Sequence, residues 1–101
     1  MKAEKRRRLE AAGWKETSVK ELLHLSKADV HYIEMKLAFS RLLRLMRERR
    51  RLTQTKAAAL LKTSQSRLAR MEAGDPSVSL DLLVRGLLAL GATPRDLLKA
   101  A

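Results

Sequence analysis

Residues 53–74 read TQTKAAALLKTSQSRLARMEAG, and their reading decides the fold. Thr53 is a good N-cap and Gln54 opens a short helix. Ala57, Ala58 and Leu61 then share one face at helical spacing. Lys62-Thr63-Ser64 makes a turn, after which Thr63 or Ser64 can cap a second helix from Gln65 to about Ala73. Gly74 ends that helix as a left-handed cap. Within it, Leu68 and Met71 point one way at i, i+3, while Gln65, Ser66, Arg67 and Arg70 point the other. A short rod with an apolar back and a Gln/Ser/Arg front suits the major groove of double-stranded DNA.

The spacing is specific. A small residue stands where the helices must cross, at Ala58. A turn follows four residues later at Lys62, and apolar residues come six and nine positions after it, at Leu68 and Met71. This segment resembles the helix-turn-helix of the Xre/Cro, or lambdoid-repressor, family. The resemblance extends to R-x-L-T-Q at Arg50–Gln54, to M-E-x-G at Met71–Gly74, and to S-L-D-L-L at Ser79–Leu83 with Leu87 and Leu90-Gly91 beyond. It covers roughly residues 40 to 98. It implies an all-α, five-helix, lambda-repressor-like DNA-binding domain over 40–101; residues 1–39, read as a basic arm and helical extension, lie outside it. At the turn, where the family usually carries glycine, this chain has Lys62. A left-handed lysine there costs about 1 kcal/mol against glycine.

Composition agrees with the helical reading. The chain has 101 residues, 46% of them hydrophobic, with four glycines and two prolines, which fits one leucine- and alanine-rich helical domain. No apolar run is long enough to span a membrane, and no signal-peptide core follows the basic start. Without cysteine, a reducing cytoplasm is the expected compartment, with the protein on the nucleoid. Net charge is +11, from 22 Lys and Arg against 11 Asp and Glu, and a DNA-reading motif makes a polyanionic partner the natural explanation. Aromatics are 3%, and Trp14, Tyr32 and Phe39 are scattered, so base-stacking on single strands is disfavoured relative to duplex DNA.

Outward from the motif, the basic residues 1–12, around Lys5–Arg8, read either as a frayed, solvated helical turn or as an arm for phosphates or a minor groove. Ser18 with Glu21 makes a capping box for a helix from Val19 to about Leu25. Ser26 with Asp29 opens a long helix from about Lys27 to Arg50, with a break expected near Ser40. It carries two apolar stripes, Val30-Ile33-Leu37 and Met35-Phe39-Leu42-Met46. One should face the motif's core; the other should cover the N-terminal helix or a second subunit. Downstream, Asp75-Pro76 turns the chain. Ser79 caps a helix to about Leu90 with Leu80, Leu83, Leu87 and Leu90 or Leu88 inside. Thr93-Pro94-x-Asp96 restarts a last helix. In the resembled family this last region often forms a two-fold interface.

Donor and acceptor chemistry assigns the groups. Gln65 can pair with adenine, Arg70 can fork onto guanine, Arg67 can fork onto guanine or hold backbone instead, and Ser66 can reach a base or a phosphate. The family's base-reading positions match Gln65, Ser66 and Arg70. Thr53 and Gln54 stand at a helix N-terminus that favours phosphate, and the family uses that glutamine as a phosphate clamp. Lys62, Thr63, Ser64, Arg50 and Arg51 are the other expected phosphate contacts. One such helix covers few base pairs, so a homodimer on a palindromic operator is expected, acting as a transcriptional repressor.

No phosphate loop or nucleophile elbow occurs, and His24 and His31 lack a third ligand, so neither an enzyme, a cofactor nor a metal site is expected. Glu72 is expected to be structural, paired to an arginine or a backbone N–H. The string over residues 13–39 resembles the front half of HigA-type antitoxins. That resemblance implies an alternative role in which the extension masks a RelE/HigB-like toxin while the helix-turn-helix autoregulates the operon.

Overall fold

The computed structural model describes residues 26–101. The arm, Trp14, His24 and the helix expected over 19–25 lie outside them. The chain divides into two units, Met1–Tyr32 and Ile33–Ala101. Five helices make up the described residues: α1 (Lys27–Arg49), α2 (Gln54–Leu60), α3 (Gln65–Ala73), α4 (Leu80–Ala89) and α5 (Pro94–Ala100), with no strand among them. This is the expected all-α architecture.

Each helix begins where its hydroxyl cap stands. Ser26 and Asp29 exchange backbone and side-chain bonds at the start of α1. Thr53, Ser64 and Ser79 each accept the N–H three residues on, and Thr93 with Asp96 forms a full capping box ahead of Pro94. Every such cap satisfies a donor that the helix leaves unpaired, for about 1 kcal/mol each. Ser64, rather than Thr63, caps α3.

The helix ends share one device. At Arg51, Lys62, Gly74 and Gly91 the backbone turns left-handed, with φ of 56°, 56°, 73° and 101°. In each case the next N–H reaches back five residues: Leu52 to Arg47, Thr63 to Ala58, Asp75 to Arg70, and Ala92 to Leu87. These are Schellman caps, which consume the last orphan carbonyls. Two are built on glycine and two on a basic residue. Lys62 is therefore left-handed, and Arg51 shares its conformation without any signal in the sequence.

The break expected near Ser40 does not occur. Ser40 is buried and its hydroxyl donates to the Lys36 carbonyl at 3.0 Å, which satisfies the side chain inside an unbroken helix. Of the two stripes on α1, the one containing Phe39 faces the core, with Met35, Leu42 and Met46 packed against it. Leu43, fully buried, is its centre, together with Leu68, Met71, Leu83 and Leu87. Each contributes roughly 1.5–3 kcal/mol of apolar burial. Of the alternatives on α4, Leu90 is inside and Leu88 is exposed. Gly86 lets α3 close onto α4, since a Cβ there would lie 3.0 Å from the Met71 methyl.

Candidate nucleic-acid interface

The α2–α3 pair presents its polar side chains through the packing just described. Ala57 and Ala58 bury one side of α2, and Leu68 and Met71, at 0% and 1% exposure, bury one side of α3. The opposite face of α3 then carries Gln65, Ser66, Arg67 and Arg70, all exposed. Arg67 and Arg70 border an open cleft of about 330 Å³ whose other walls include Ser77, Ser79 and Asp81. Ser66 lies with its hydroxyl 3.3 Å from that of Ser64, which is already engaged as the α3 cap.

The expected phosphate-side residues surround this face. Thr53, Lys62, Ser64, Arg50 and Arg51 are exposed, while Gln54 and Thr63 are half-buried. The Thr53 hydroxyl accepts the Lys56 N–H at 3.1 Å. Arg50 donates from Nη1 to the Leu90 carbonyl at 3.0 Å, capping the end of α4 with part of its guanidinium.

Behind the exposed face runs a polar chain that the sequence reading did not anticipate as a whole. Arg47 of α1 donates to Glu72 through Nε at 2.6 Å and Nη2 at 3.0 Å, and to the Leu52 carbonyl through Nη1 at 2.8 Å. Glu72, 4% exposed at its side chain, accepts from Gln54 Nε2 at 3.2 Å. Gln54 Oε1 in turn accepts from Gln65 Nε2 at 2.7 Å. Glu72 thus has the arginine partner expected of it, and its hydrogen bonds hold the Arg47 guanidinium above its ordinary pKa. Arg47 points inward, away from the phosphate role open to the arginines at the end of α1.

The order of donors in this chain is dictated from its buried end. An ionised carboxylate only accepts. Gln54 must therefore turn its NH2 group to Glu72, which leaves its carbonyl oxygen for Gln65. Gln65, itself exposed, spends one N–H on that oxygen, which leaves its second N–H and its Oε1 for other partners. An amide donor with an amide acceptor is the chemistry that pairs with adenine N7 and N6.

Downstream of α3, Asp75 Oδ1 accepts from both the N–H and the hydroxyl of Ser77 at 2.8 Å. Those two bonds hold its carboxyl below the usual carboxylate range. The exit loop from α3 is thereby shaped by an Asx turn.

A family model described as helix-turn-helix domain matches residues 38–101, and the chain belongs to that family. It is of the class of DNA-binding regulators. No curated protein and no solved structure matches the chain. Among the described residues no helix is long and apolar enough to cross a membrane.

Proposed function

We propose that this protein is a sequence-specific repressor that binds duplex DNA as a homodimer of the Xre/Cro type on a palindromic operator. One observation carries the reading. The exposed row Gln65, Ser66, Arg67 and Arg70 stands on a helix whose other side is anchored by Leu68 and Met71. Gln65, Arg67 and Arg70 supply base contacts, with Ser66 at a base or phosphate. Thr53, Gln54, Lys62, Thr63, Ser64, Arg50 and Arg51 ring them as backbone contacts, which fix register without reading sequence.

Dimerisation is supported by a groove of about 410 Å³ between α1 and α5, lined by Leu42, Leu45, Met46, Arg49, Asp96 and Lys99 among others. Leu98, 79% exposed, stands on the same last helix. Two recognition helices set about 34 Å apart would then meet successive turns of one DNA face.

The test is selection of binding sites from a random duplex pool. Arg70→Ala is expected to relax one base position at a cost of about 1–3 kcal/mol, whereas Arg51→Ala weakens every sequence alike. A preferred site unchanged by Arg70→Ala removes the assignment, and sedimentation of a monomer both free and DNA-bound removes the dimer. Exposed Ile33 and Leu37, at the end of the antitoxin-like string, favour a second role as an antitoxin. Co-purification of a RelE/HigB-like toxin with the chain tests it.

A further inference from the structure

The stretch 33–37 of α1 precedes the matched helix-turn-helix domain, yet it touches the recognition helix where that helix ends. Leu37 packs on Gly74 so closely that a Cβ on Gly74 would lie 2.8 Å from Leu37 Cδ2. Lys36 donates from Nζ to the Pro76 carbonyl at 3.3 Å, forty residues away in sequence. Ile33, Lys36, Leu37, Gly74 and Pro76 together line one small, mostly apolar notch.

The two ends of α3 are therefore held differently. Its start is fixed by the Ser64 cap and by the bond between Gln65 and Gln54. Its finish passes through Arg70, whose carbonyl accepts the Asp75 N–H at 3.1 Å, into a loop braced from outside by Lys36 and Leu37. A base-reading arginine has to sit within a few tenths of an ångström to make a forked contact, so slack at this brace is felt first at Arg70.

We infer that Lys36 and Leu37 are positioning residues for DNA readout: they brace the exit of α3 and so set the aim of Arg70 while leaving Gln65 to its own anchor. The inference rests on the proposed function, since it assigns Arg70 a base to read. Neither residue would touch DNA. Both act through Gly74 and Pro76.

The experiment uses the full chain and a random duplex pool. The wild-type chain defines the preferred site, and Arg70→Ala defines which base position Arg70 reads. Leu37→Ala and Lys36→Met, both checked for an intact thermal transition, are expected to blur that same position by about tenfold in base preference and to leave the Gln65 position sharp. Hydrogen exchange without DNA gives an independent arm. The Asp75 amide should exchange about tenfold faster in Leu37→Ala, with the Thr63 amide unchanged.

Unchanged preference at the Arg70 position in both variants overturns the inference, as does an equal loss at all positions, which is what simple destabilisation gives. A wild-type chain that selects no site overturns the DNA-reading assignment and this inference with it. An accelerated Asp75 amide in that case still establishes the brace, which separates the two failures.

Discussion

Replacing Lys62 by glycine separates what the turn costs from what it supplies. Lys62 holds φ at 56°, a conformation that costs a non-glycine residue about 1–2 kcal/mol. Glycine removes that strain but loses more entropy on folding, which returns about 0.5–1 kcal/mol. The net expectation for Lys62→Gly is a gain centred near about 0.75 kcal/mol, or roughly 3–6 °C in Tm for a domain of this size. Duplex binding should move the other way. One lost phosphate contact makes the dependence of log K on log salt shallower by about 0.9, which at 0.1 M salt is about eightfold in affinity. Lys62→Ala isolates the charge, because it keeps the strain and loses the cation; Lys62→Arg keeps both. The assays are thermal denaturation and a salt titration of binding to the selected duplex. A Tm that does not rise in Lys62→Gly would refute the strain argument. An unaltered salt slope in both Lys62→Gly and Lys62→Ala would refute the phosphate contact.

Three other outcomes follow from the interior and the caps. Glu72→Gln leaves Arg47 charged beside a neutral amide, with its Leu52 bond and 14% side-chain exposure as partial relief. A loss of about 2–3 kcal/mol is expected in denaturant melts, largely recovered in Arg47→Met/Glu72→Met, and a loss below about 1 kcal/mol would mean that the pair is solvated. Leu87→Ala should cost about 2–5 kcal/mol while its exposed neighbour, Leu88→Ala, costs under about 0.5 kcal/mol; equal losses in thermal melts would displace Leu87 from the core. Asp75 and Asp96 are held below their ordinary pKa by bonds from Ser77 and Thr93 respectively. Their lowered folded values mean that the stabilisation is present above about pH 4 and is lost as pH falls through those values. Asp75→Asn or Asp96→Asn should flatten the acid limb of a stability–pH curve, and an unchanged limb would place the lowered carboxyls elsewhere.

The helices and their caps were legible because each has a local cause. Thr53, Ser64, Ser79 and Thr93 stand directly before a periodic apolar run, and Gly74 and Gly91 directly after one. The exposed face of α3 was legible for the same reason, since Leu68 and Met71 fix its opposite side. Leu43 escaped because α1 carries apolar residues on several faces, and periodicity alone does not choose among them. The Arg47–Glu72 pair joins residues 25 apart and leaves no local trace. The link between Gln54 and Gln65 had one faint signal: both glutamines follow directly after a hydroxyl N-cap, so the two crossing helices bring like positions together. Arg51 gave no hint of a left-handed backbone, because its neighbours satisfy the Schellman geometry through main-chain atoms that any residue carries.

The directional order of the Glu72–Gln54–Gln65 chain narrows what residue 65 can become. Gln54 offers it a lone pair, so a replacement must bring a hydrogen to share. A carboxylate at this position, the group suited to the cytosine amine, would meet an oxygen there and would keep this link only if Gln54 inverted against the buried Glu72. The choice at residue 65 is thus biased from inside the fold, through Glu72, whose side chain is only 4% exposed.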